Sequence, residues 1–78
     1  MPTVLTVSGY RFFFVSNEGS EPAHIHVESG DRYAKFWLDP IVLAVSHGYN
    51  SGELRSLRLL VADNQALLMR KWREYFNA

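Results

Sequence analysis

HIHVESGDRYAKFWLD, residues 24–39, is the stretch whose reading decides the fold. Two runs rich in strand-forming residues flank Ser29-Gly30-Asp31-Arg32, a cluster of turn formers, which predicts a β-hairpin of strands 24–28 and 33–38. A two-residue and a four-residue loop give the same parity: Val27 opposes Ala34, Ile25 opposes Phe36, His26 opposes Lys35 and His24 opposes Trp37. Ile25, Val27, Ala34, Phe36 and Leu38 then share an apolar face fit for a core, and His24, His26, Glu28, Lys35 and Trp37 share the other.

Upstream, TVLTV meets YRFFFVS across Ser8-Gly9, which predicts a second hairpin, 3–7 with 10–16. Its pairing sets Val7 against Tyr10, Leu5 against Phe12 and Thr3 against Phe14 on one side, and Thr6 against Arg11 and Val4 against Phe13 on the other. Aromatics on both sides imply cover on both faces or a central place in the sheet. NEGSEPA, residues 17–23, is rich in turn formers and ends the second strand.

Downstream, Asp39-Pro40 leads into IVLAVS, read as a fifth strand over 41–46 with Ile41, Leu43 and Val45 toward the core and Val42 and Ala44 beside Trp37. A short helix capped by Asp39, with Pro40 at its first position and Gly48 at its end, competes with that reading. From Asn50 or Ser51 the apolar period changes to 3.6. Leu54, Leu57, Val61, Leu68, Trp72 and Tyr75 fall in one sector of about 60°, which predicts an amphipathic helix over about 51–76. Asn64 projects onto that sector, so the helix bends or restarts there, or the amide is buried with a partner. The expected fold is α+β: a single domain, residues 1–78, with a curved antiparallel sheet of four to five strands and one long C-terminal helix packed on one face.

A chain of 78 residues buries only about 60–65% of its unfolded surface, so its core must be dense. The composition, 47% hydrophobic and 14% aromatic, supplies that density and excludes disorder. With no cysteine there is neither a disulfide framework nor a thiolate metal site, which fits a reducing cytoplasm. No apolar run reaches the roughly 20 residues that span a bilayer, and no signal-peptide pattern opens the chain. Formal charge is zero, which argues against a surface built wholly for nucleic acid. Residues 1–50 carry a slight acidic excess and residues 51–78 an equal basic one, a distribution that suits an acidic partner or a merely solvated helix face.

GYRFFFVSNE, PAHIHVE, AKFWLDP, ELR and the closing KWREYF, taken in order, resemble the small prokaryotic family known as domain of unknown function 4160. The likeness spans nearly the whole chain and departs from the family pattern at Ala23, usually proline there, and at Val15, often tyrosine. It implies no established activity. It does imply an operon neighbour from another small family, domain of unknown function 2442, and with it a toxin–antitoxin-like setting.

Three functions compete for the polar face. His24 and His26 project about 6.5–7 Å apart along one side of a strand, close enough to share a divalent metal if Glu28 joins them; His47 and Asp39 are less well placed. As a metal-free ribonuclease, His24 and His26 would move protons, Lys35 would stabilise the phosphorane and Trp37 would stack a base. The third reading is a non-enzymatic interaction module that binds a partner, or itself as a homodimer, through His24, His26, Glu28, Lys35 and Trp37, with no cofactor. This last is the preferred expectation, because a sheet covered by one helix must turn its second face to water or to another chain.

Overall fold

The computed structural model describes residues 3–76. Five antiparallel strands, β1 (Thr3–Val7), β2 (Tyr10–Phe13), β3 (His24–Ser29), β4 (Arg32–Leu38) and β5 (Ile41–His47), form an open meander in sequence order. Two helices follow, α1 (Ser51–Asp63) and α2 (Gln65–Phe76). The region 41–46 is strand, not helix, and a cis Asp39–Pro40 bond lies in the turn before it.

The β3–β4 register is the expected one at every position, from His24 opposite Trp37 to Ser29 opposite Arg32. Gly30, at φ +59, sits where the two-residue turn needs a left-handed backbone. Two bulges depart from the simple parity. In β1 the register slips at Val4, so Thr3 opposes Phe13 rather than Phe14, and β2 ends at Phe13 instead of running to residue 16. In β5 it slips at Ala44: Leu43 still opposes Phe36, but Val45 opposes Lys35 and therefore lies on the second face, not toward the core. One extra residue in one strand of a pair reverses every side chain beyond it.

The helical stretch is two segments rather than one. Asn50 caps α1 by accepting from Glu53 N–H at 2.8 Å, while the Glu53 carboxylate accepts from Asn50 N–H at 2.9 Å. The first segment ends at Asn64, whose backbone (φ −112°, ψ 12°) leaves the helical region while its side-chain amide donates to Leu60 O at 2.8 Å. Gln65 then donates to Leu38 O at the end of β4, tying the restart to the sheet. Leu57, Val61, Leu68 and Trp72 reach the core against Phe12, Ile25, Val27 and Phe36, all 5% exposed or less. Tyr75, assigned by periodicity to the same stripe, is 39% exposed and stacks on the outer side of Phe14.

Both helices therefore cover one face of the sheet. Residues 14–23 cross over part of the other. They pass close to α2 at Gly19, where a Cβ would stand 2.7 Å from the Phe76 ring, so a side chain there would force the ring to shift. Glu18 N–H donates to Val15 O at 3.3 Å and Glu21 N–H to Glu18 O at 3.2 Å; Leu38 N–H donates to Ala23 O, fastening the returning chain to the end of β4.

Candidate functional site

The second face divides into a closed part, under the 14–23 loop, and an open part along β5. Strand parity puts His24 and His26 side by side on this face, as expected from the sequence, but neither is at the surface: they are 0% and 4% exposed. Their rings lie 5.0 Å apart in an edge-to-face contact. His24 is walled by Trp37 at 5.5 Å and, at the sheet's end, by Trp72 of α2 at 4.9 Å. Phe13 stacks on His26 at 5.2 Å.

What closes this part is Glu18, a residue to which strand periodicity assigns no position. His24 Nε2 and His26 Nε2 converge on one oxygen, Glu18 Oε1, at 2.7 and 2.6 Å. On their far sides His24 Nδ1 meets Pro22 O at 2.9 Å and His26 Nδ1 meets the Tyr33 hydroxyl at 2.6 Å. Among the described residues no buried side-chain nitrogen or oxygen lacks a hydrogen-bond partner. Such completeness makes the loop an integral layer of the domain, since a buried polar group left unpaired costs about 1–3 kcal/mol.

A proton count follows from these contacts. Pro22 O only accepts, so His24 Nδ1 donates to it. A neutral ring then has no second N–H for Glu18, and the Glu18–His24 contact holds one proton more than a neutral imidazole beside a carboxylate. His26 is satisfied as a neutral ring, donating from Nε2 to Glu18 and accepting the Tyr33 hydroxyl at Nδ1. For His26 the electrostatics agree. Burial holds His26 below the ordinary histidine value, outweighing the opposing pull of Glu18. At Glu18 burial favours the neutral acid, yet the bonds from His24 and His26 outweigh it and hold the carboxyl below its usual range. Burial, with Glu18 nearby, pushes the Tyr33 hydroxyl above the ordinary tyrosine value.

The other residues expected on this face are apart from the cluster. Glu28, the carboxylate expected beside the two imidazoles, pairs with Arg11. Lys35, half-buried, pairs with Glu21 at 2.9 Å and stands 4.6 Å over the Trp37 ring, so the same loop engages it. Neither His47 nor Asp39 joins the imidazoles; the His47 ring faces Tyr33 at 6.3 Å. The group that does assemble is Glu18, His24 and His26, with one ligand atom from each within 4.8 Å of the others. Tyr33 was within reach of sequence reasoning, because the same parity sets it opposite Glu28 on this face. For Glu18 the only signal was its place in the SNE motif, since a loop has no period.

The open part is apolar. The Ala44 bulge brings Val45 to the same side as Val42 and Trp37, and Val42 and Val45 are 49% and 41% exposed. Trp37 and Val42 also line a shallow depression with Pro22, Asp39 and Pro40.

The match to a family model spans residues 9–73 and so takes in every residue of both parts, from Arg11 to Trp72. The chain belongs to the family described as Domain of unknown function (DUF4160). No curated protein and no solved structure matches it. In this DUF4160 domain, no helix among the described residues is long and apolar enough to cross a membrane.

Proposed function

We propose that this domain is a protein-interaction module whose contact surface is β5 and the apolar strip beside it, and that its occupant is a second copy of the chain. The observation that carries the reading is the composition of an edge. Beyond β5 no further strand lies among the described residues, so its outer backbone groups have no ladder partner in the sheet. Edge strands are ordinarily protected by charge, by proline or by a bulge, and of these β5 has the bulge at Ala44. From Ile41 to Ser46 there is no charge, and Val42, Leu43 and Val45 are each more than a third exposed. The opposite edge, β1, exposes Thr3 and Thr6 instead.

A second copy fits because antiparallel pairing of a strand with itself is self-complementary and closes as a two-fold dimer. Full burial of a valine or leucine side chain contributes about 1.5–3 kcal/mol, so covering these half-exposed residues contributes about 1 kcal/mol each. Three in each copy give about 6 kcal/mol, comparable to the association cost of about 4–15 kcal/mol, with new ladder bonds adding to it. A weak, concentration-dependent dimer follows. Burial of both imidazoles supports this reading over the ribonuclease, which needs two rings that substrate can reach.

Sedimentation equilibrium from 10 µM to 1 mM is the test. Self-association that rises across that range is expected, abolished by Val42→Lys with Val45→Lys and untouched by Leu59→Lys on the exposed side of α1. A wild-type chain that stays monomeric at 1 mM overturns the proposal.

A further inference from the structure

We propose that Glu18, His24 and His26 form a binding site for a divalent transition-metal ion, with zinc the reference ion, that fastens the 14–23 loop to the sheet. Two imidazole nitrogens and a carboxylate oxygen, one from each residue and all within 4.8 Å, are the donor set of three-ligand zinc sites. The ligand set differs from the one periodicity suggests, because Glu28 is held by Arg11 and Glu18 takes its place.

Behind the rings, each Nδ1 also faces an oxygen. A histidine that ligates a metal through Nε2 characteristically donates its Nδ1–H to a carbonyl or another oxygen, which fixes the tautomer and the ring orientation. His24 already has that arrangement, donating to Pro22 O at 2.9 Å, and His26 gains it by changing tautomer, so that Nδ1–H donates to the Tyr33 hydroxyl 2.6 Å away. Metal binding then releases one proton, the one held between His24 Nε2 and Glu18, while His26 carries its single hydrogen on Nδ1 instead of Nε2; both outer contacts survive, with the Tyr33 hydroxyl turned to accept from His26. Pro22 and Tyr33 therefore position the ligands.

Space allows it. A tetrahedral ion with bonds of about 2.0–2.1 Å needs its donors about 3.4 Å apart; the Glu18 contacts are 2.6 and 2.7 Å and no pair in the set exceeds 4.8 Å, so Glu18 must withdraw by less than about 1 Å and the two imidazole nitrogens need approach by no more than about 1.4 Å. Glu18 is the member free to do so: it sits in the loop with its side chain 22% exposed, whereas the His24 side chain is 0% exposed on a paired strand. Three protein donors leave a fourth position on the Glu18 side, where solvent reaches. A loop of ten residues, with no regular element, is thereby joined at one point to neighbouring positions of β3.

The test uses full-length protein dialysed against a chelator, then titrated with zinc chloride or cobalt chloride at pH 7.5. One ion per chain with a Kd of about 1 µM or tighter is expected, along with a melting temperature that climbs with free metal. Imidazole ¹⁵N spectra of the wild type should move at His24 and His26 and not at His47. Glu18→Gln should weaken binding by about 100-fold or more and Tyr33→Phe by about 10-fold. Because Glu18→Gln also loosens the loop, the wild-type spectra decide the matter if that variant is unfolded. Absence of binding at 1 mM zinc, binding that Glu18→Gln leaves unchanged, or spectra that move only at His47 each overturn the proposal. Repeating the sedimentation with chelator keeps this result separate from the dimer.

Discussion

Replacing Glu18 by alanine should destabilise the domain far more than replacing Glu28, although both are partly exposed glutamates paired with cationic or imidazole groups. Glu28 pairs with Arg11 through side chains 42% and 32% exposed, a surface ion pair worth about 0–1 kcal/mol. The Glu18 oxygen accepts two hydrogen bonds from rings that are 0% and 5% exposed, and a hydrogen bond to a charged group contributes about 1.5–3 kcal/mol. The two bonds share one oxygen and Glu18 retains some solvent contact, so the sum is discounted to about 3 kcal/mol for Glu18→Ala. Glu18→Gln keeps the acceptor and loses the charge, and about half that loss is expected. Urea titration at pH 7.5 with chelator present, followed by tryptophan fluorescence, measures this directly, because Trp37 and Trp72 both touch His24. With a slope of about 1 kcal/mol per molar urea, the midpoint should fall by about 3 M for Glu18→Ala and by less than 1 M for Glu28→Ala. Equal shifts for the two variants would refute the claim that the loop is fastened by this cluster.

Acid should destabilise the fold from just below neutrality. His26 and Glu18 are both held below their ordinary values, so each contributes stability that is present above its unfolded-state value, about 6.5 and 4.3, and is lost as pH falls through its lower folded value. A urea midpoint at pH 5 equal to that at pH 7.5 would contradict this. At the alkaline end Tyr33, held above its ordinary value, contributes stability that is present below about pH 10 and lost as pH rises through the higher folded value. Tyr33→Phe should flatten that limb in a pH-dependent melt. Gly19→Ala places a methyl against the Phe76 ring and should cost about 1–2 kcal/mol, a penalty that shrinks in a Phe76→Leu background if the clash is its cause. Asn50→Ala removes the acceptor of the α1 capping box and should cost about 1 kcal/mol in thermal unfolding, with Ser51→Ala as a control near zero.

Sequence alone determined the sheet that carries the site. A turn at Ser29–Arg32 and side-chain alternation place His24 against Trp37 and His26 against Lys35, because the period of two leaves no freedom once a turn is fixed. The change of period at Asn50 likewise marks where helix replaces strand, and Asn64, a polar residue on an apolar stripe, marks where it restarts. Only the tertiary structure decided which parts of the second face are open. Bulges at Val4 and Ala44 are single-residue choices of the backbone that no alternation encodes, and the one at Ala44 moves Val45 from the core side to the open strip. The 14–23 loop has no period, so nothing local says that it folds back over the histidines or that Glu18, eight residues from His26 in the chain, lies 2.6 Å from it in space. Periodicity fixes the direction of a side chain relative to its own strand; what lies above that strand is fixed by long-range packing, here the closure of Gly19 on Phe76 and of Glu18 on two buried rings.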